Sequence, residues 1–126
     1  MRLQGKIKNT KVIILVNSRS THNFMNCSVA KRVGCSSQAM SGVGVTIANG
    51  QKIWVQDMCK AIAWETEGLQ MIIDFMLLPL RGCDIVLGVH SVQELGLIFW
   101  DFKALTMQFT FQGQQFTLHG MLTGAV

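Results

Sequence analysis

Ile13-Ile14-Leu15-Val16 is a run of branched apolar residues that stops abruptly at the polar stretch Asn17-Ser18-Arg19-Ser20-Thr21-His22-Asn23. A second such run, Ile85-Val86-Leu87 followed by Gly88, lies far downstream. Four or five apolar residues bounded by turn residues read as a strand buried on both faces. A buried strand that ends in Asn-Ser-Arg-Ser-Thr delivers short hydrogen-bonding side chains to one fixed place.

The remaining pattern is of short strands and turns. Val43-Gly-Val-Thr-Ile-Ala-Asn49-Gly50-Gln-Lys-Ile-Trp-Val55 sets two β-prone runs around Asn-Gly, the preferred pair for a two-residue type I′ hairpin turn. A second hairpin is expected where Ala61-Ile-Ala-Trp64 and Leu69-Gln-Met-Ile-Ile flank Glu65-Thr-Glu-Gly68, with Pro79 ending the pair because it lacks a backbone donor. Leu105, Met107, Phe109 and Phe111 alternate with more polar residues, and Gln112-Gly113-Gln114 turns the chain into Phe116-Thr-Leu118. Two short helices are expected. One follows Asn26 as N-cap, with Lys31 and Arg32 in its last turn and Gly34 at C′; the other covers residues 91–95. Many short strands with two small helices indicate a closed all-β domain.

Charge is unevenly placed. Residues 1–56 hold eight Lys and Arg and no acid, whereas residues 57–126 hold three and seven acids. Four of the bases, Arg2, Lys6, Lys8 and Lys11, crowd the start, so residues 1–11 read as a flexible basic leader, residues 12–120 as the domain and 121–126 as a tail. Contact with nucleic acid is the other reading of that leader, although no aromatic interleaving or binding motif accompanies it. Cys27, Cys35, Cys59 and Cys83 form no C-x-x-C pair, and His22, His90 and His119 have no metal spacing, so neither a metal nor a cofactor is expected. No uncharged apolar run reaches the ~18 residues of a membrane span. Residues 12–16 are too short for a signal-peptide core of about 7–15 residues, so an intracellular, cytoplasmic setting is expected.

The stretch Ser18-Arg-Ser20-Thr21-His22-Asn23-Phe24 resembles the retropepsin-like aspartic proteases of gypsy-type retrotransposons, best known from plants, whose sequence there is Asp-Ser-Gly-Ser-Thr-His-Asn-Phe. Val45-Thr-Ile-Ala-Asn-Gly50, Asp74-Phe-Met-Leu-Leu-Pro-Leu80, Cys83-Asp-Ile-Val-Leu-Gly88 and Trp100-Asp-Phe-Lys-Ala-Leu-Thr-Met107 resemble the family in the same order. The resemblance covers roughly residues 10–120. It implies a closed retropepsin-like barrel with a flap hairpin, Ala48, Asn49 and Gly50 forming the tip over the substrate. It also implies that Thr21, Val86, Leu87 and Gly88 support the catalytic loop. One chain of this size has one such loop, so a homodimer with a shared, two-fold-symmetric site is implied, with a peptide or polyprotein segment as its occupant.

Two positions depart from the family. Asn17 stands where the catalytic Asp belongs, and Arg19 where the Gly belongs. The family reaction uses two carboxylates that share one proton, one acting as base on water and one as acid on the peptide carbonyl. A neutral amide does neither. The first acid in the chain is Asp57, so no substitute is close in sequence. Arg19 fills space that Gly leaves open for a substrate backbone, and Gly would also permit unusual backbone angles. The resemblance implies that Ser18 braces the paired loops of a dimer, and capping its own loop is the equal alternative. A Ser–His nucleophile built from Ser18 or Ser20 with His22 lacks an orienting acid. The expectation is therefore a degenerate polyprotein-processing protease domain without peptidase activity. The alternatives are a peptide-binding or dimerisation module and an RNA-associated remnant.

Overall fold

Strict alternation of apolar and polar residues sets the barrel wall. Our computed structural model describes residues 1–46 and 50–121. Its strands are β1 (Arg2–Ile7), β2 (Thr10–Val16), β3 (Phe24–Asn26), β4 (Gln38–Thr46), β5 (Lys52–Thr66), β6 (Leu69–Leu78), β7 (Ile85–Leu87), β8 (Phe99–Asp101), β9 (Thr106–Phe111) and β10 (Gln114–His119). Helices α1 (Cys27–Arg32) and α2 (Val89–Gln93) interrupt them. In β6, Leu69, Met71, Ile73 and Phe75 face inward while Gln70, Ile72 and Asp74 face out, as a period of two requires.

The main sheet runs β1-β2-β7-β3-β6-β5-β4, and a further pairing of β1 with β5 closes its first six strands into a barrel. At that seam Lys6 lies opposite Glu65. Gly5 permits the approach, since a Cβ there would sit 2.6 Å from the Glu65 carbonyl oxygen. The core inside holds Leu3, Ile7, Ile14, Met25, Phe75 and Ile85, each at most 1% exposed. The order β10-β9-β8 forms a separate three-stranded sheet. Glu67 fastens it to the barrel by accepting from the backbone N–H of His119 and meeting its Nδ1, both at 2.7 Å.

Several expectations are corrected. Residues 1–11 are not a flexible leader: they are β1, a turn and the start of β2, with Arg2 opposite Leu15 and Ile7 opposite Thr10. The alternation Leu3-Gln4-Gly5-Lys6-Ile7 carried that strand, and its charge masked it. Two of the bases in residues 1–11 are tied to distant parts of the chain, Lys8 donating to the Val33 carbonyl and Arg2 to that of Gly82. At the other end Met121 still donates to the Arg2 carbonyl. The second helix covers Val89–Gln93 rather than 91–95. In the flap, Thr46 pairs with Lys52, leaving residues 47–51 between the strands. The turn expected at Asn49-Gly50 falls partly on residues 47–49, outside the described residues. The second expected hairpin turns through Glu67-Gly68 (φ 44° and 87°), between Thr66 and Leu69.

The first helix forms where local chemistry placed it. Asn26 caps it by accepting from Ser28 N–H, and Gly34 follows it at φ 69°. Asn26 also donates through Nδ2 to the Leu80 carbonyl, 3.0 Å away. Asn26→Ala removes both bonds and is expected to cost about 1–2 kcal/mol, read from the urea midpoint at constant slope.

Cys59 is fully buried at the base of the flap. Burial first, then a hydrogen bond and repulsion from neighbouring Cys35, push its thiol up to about 12. The folded state thus holds this proton more tightly than the unfolded chain. The corresponding stability is complete below pH ~9 and declines as pH rises towards 12. Iodoacetamide at pH 8 is expected to alkylate half-buried Cys35 and spare Cys59, which peptide mass mapping checks.

Candidate active-site loop and groove

Strand β2 runs through the centre of the barrel wall, antiparallel to β1 and parallel to β7. The parallel ladder pairs Ile14 with Ile85, Leu15 with Val86 and Val16 with Leu87. It ends where the Asn17 N–H donates to the Leu87 carbonyl at 3.0 Å. Beyond that bond the chain leaves the sheet and turns on Asn17 itself. Its Oδ1 accepts from the Arg19 N–H (3.1 Å) and its backbone oxygen from the Ser20 N–H (3.1 Å), an Asx turn. With Oδ1 so engaged, the hydrogens of the Asn17 amide are left to act only as donors.

A second layer holds the loop from behind. Asn23 Oδ1 accepts from the Gly88 N–H (2.8 Å) and from the Ser91 hydroxyl (3.0 Å). The Val89 N–H donates to the Ser20 carbonyl at 2.7 Å. Gly88 packs so closely that a Cβ on it would lie 2.5 Å from the His22 carbonyl oxygen. Thus Leu87 and Gly88 contact the loop backbone directly, and Val86 lies buried beside them.

Thr21, expected to share in this support, is exposed, and the bracing runs through Ser20, Asn23 and Ser91. Asn23 stood inside the motif, but its partners are 65 and 68 residues away, so only the fold reveals its role. Ser18 and Arg19 are exposed. The Ser20 hydroxyl donates to the His22 backbone oxygen at 2.7 Å, so it does not act on the imidazole. That ring instead packs edge-on against Phe24. Asp84 braces the wall, one carboxylate oxygen accepting from the Ile13 N–H at 2.7 Å and the other 3.6 Å from Arg32.

Arg19 does not adopt the left-handed backbone: the non-glycine residues that do are Lys8, Ala61, Glu67, Leu105 and Gln112. The family Gly at this position is therefore not demanded by φ, and what Arg19 changes is space and charge.

Beside the loop lies an apolar cluster distinct from the barrel core. Phe24, Leu78, Cys83 and Val86 form its buried base. Ile13, Leu15, Met76 and Leu80 are packed partly exposed upon it, together with Val45 and Ile53 from the flap strands. Val45 and Ile53 are paired across β4 and β5, so the flap hairpin rests directly on this surface. The tip residues Ala48 and Asn49 lie outside the described residues; Gly50 is exposed at φ 84°. Leu15 and Phe24, which flank the loop in sequence, and Val45 and Ile53 of the flap strands thus share one apolar surface. Among the described residues, no three His, Cys, Asp or Glu side chains gather in a metal-holding group, and no helix is long and apolar enough to cross a membrane.

Residues 4–95 match the sequence profile of a family described as retroviral aspartyl protease. A search of curated proteins returns no match. Among solved structures, the chain is similar to the retroviral protease-like domain of Ddi1 from Leishmania major, at 15% identity and TM-score 0.72, covering 100% of this chain and 97% of that one. It is also similar to the EIAV protease complexed with the inhibitor HBY-793, at 14% identity and TM-score 0.59, over 76% of this chain and 88% of that one. The solution structure of the Simian Foamy Virus (mac) protease matches at 16% identity and TM-score 0.52, over 75% and 94% of the respective chains. At these identities the structural likeness concerns the fold.

Proposed function

The chain belongs to the retroviral aspartyl protease family, and on that premise we propose that it is a degenerate member, descended from a gypsy-type retrotransposon polyprotein, that binds peptide without cutting it. One observation carries the reading. At the position of the family Asp stands Asn17, whose Oδ1 is held by the Arg19 N–H and whose remaining amide hydrogens can only donate. Water between two such amides finds no base, and a peptide carbonyl finds no acid. The motif from Ser18 to Phe24 supports the retrotransposon ancestry.

The functional unit in this reading is a homodimer. Each chain contributes one loop, and the exposed Ser18 hydroxyls meet across the axis. The three-stranded sheet supports it too, since β10 is an edge strand and Leu97, Phe99 and Phe102 around β8 are 92%, 65% and 79% exposed. The basic residues 2–11 belong to the barrel wall, so no specific observation favours an RNA arm.

Two measurements test the proposal. Sedimentation equilibrium at micromolar concentration is expected to give a dimer, and a stable monomer would count against the shared groove. Unstructured casein incubated with the protein between pH 3 and 7 is expected to remain whole. Cleavage blocked by a statine-type transition-state analogue would overturn the claim of inactivity.

A further inference from the structure

We infer that the groove selects an extended peptide carrying an acidic side chain, with that carboxylate on the Asn17–Ser18–Arg19 loop and a neighbouring apolar side chain on the Leu15, Val86 and Leu80 surface. The inference rests on the peptide-binding reading above and adds the chemical class of the ligand.

The loop is a set of donors. Asn17 Oδ1 accepts from the Arg19 N–H, and the rest of its amide can only donate. The Arg19 side chain is exposed, and no hydrogen bond or ion pair of its guanidinium occurs among the described residues. A planar guanidinium offers paired N–H groups that match the two oxygens of a carboxylate. The surroundings add positive charge rather than cancelling it: Arg81 is exposed next to Leu80, and Lys52 is exposed at the start of the second flap strand.

Carboxylates of the loop and of the wall beneath it are missing or occupied, and exposed Asp57 on β5, opposite Ala39, is the exception among the flap strands. No acid occurs before Asp57, so β1 to β4 and the loop supply none. Asp84 has one oxygen on the Ile13 N–H and the other near Arg32. Asp74 accepts from the Ala61 N–H across the β5 bulge. A neutral peptide would leave the loop donors to water, and a basic one would face like charge. An acidic side chain satisfies them, and the adjacent apolar cluster anchors its neighbour in the sequence.

The test uses the whole protein and three fluorescein-labelled octapeptides with amidated C-termini, each with Leu and Phe flanking a central Glu, Gln or Lys. Fluorescence anisotropy is recorded for the wild type, Arg19→Gly and Arg19→Lys. The Glu peptide is expected to bind about tenfold tighter than the Gln isostere, because charge-assisted bonds are roughly twice as strong as neutral ones. Arg19→Gly is expected to abolish that preference, so that the Glu and Gln peptides bind it alike, and Arg19→Lys to keep only part of it. Equal binding of the Glu and Gln peptides, or a preference that survives Arg19→Gly, overturns the inference but leaves the peptide groove standing. Failure of every peptide to bind overturns both.

Discussion

Asn17→Asp alone is expected to leave peptide cleavage undetectable, whereas Asn17→Asp combined with Arg19→Gly is expected to raise it at least 10²-fold above the single mutant. The loop is already shaped for the carboxylate: the Asn17 N–H is anchored on Leu87, and the Arg19 N–H would donate to the new Asp as it does to the amide. In a dimer the substitution restores two carboxylates at once, and general acid–base catalysis by such a pair contributes roughly 10²–10⁴-fold. The Arg19 guanidinium works against it. A cation within ~4–6 Å favours the ionised carboxylate and lowers its pKa, opposing the singly protonated pair that the reaction uses. In the shared site its side chain would also compete with the substrate backbone for space, and a displacement of ~1 Å can cost about 10²-fold. Because Arg19 has no positive φ, relief of backbone strain contributes nothing, so the whole gain from Arg19→Gly must come from charge and space. Cleavage of one peptide by both single mutants and the double mutant, across pH 3–7, decides it. If Asn17→Asp matches the double mutant, Arg19 is a bystander.

Gly88→Ala is expected to destabilise the fold by about 3 kcal/mol, the upper range for forcing atoms into a packed site. The reason is room, not conformation. Gly88 lies at φ −88°, which any residue adopts. Its added methyl would sit 2.5 Å from the His22 oxygen and 2.8 Å from the Ser20 oxygen. Both obstacles are backbone, and the loop cannot retreat without breaking the Val89-to-Ser20 bond and the Asn23 bonds to Gly88 and Ser91. Urea unfolding gives the stability, and introducing Gly88→Ala into the Asn17→Asp, Arg19→Gly protein is expected to abolish its cleavage. A loss below ~1 kcal/mol with cleavage intact would show that the loop slides freely on β7.

Much of this architecture was written in local chemistry. The cap of α1 was legible because Asn26 and Gly34 act within a few residues of themselves. The buried strands on either side of the loop were legible because their apolar runs have no polar interruption. That residue 17 is an amide and not a carboxylate needed only the sequence, and the expectation that this matters came from the likeness of its neighbours to a known motif. Register, contact and direction were not legible, since they depend on residues far apart in the chain. Leu3-Gln4-Gly5-Lys6-Ile7 became a barrel strand because β2 and β5 were there to pair with it, which outweighed its charge. The flap register, with Thr46 opposite Lys52, was visible only once β4 and β5 were paired. Asn23 became the hub of the loop because parallel pairing of β2 with β7 brings Gly88 and Ser91 against it. Sequence alone determined which groups the site lacks, because a side chain's capacity to give or take a proton begins with its identity. Only the tertiary structure decided which way the Asn17 amide faces and that Arg19 needs no special backbone, because both follow from where the surrounding N–H groups and carbonyls are held.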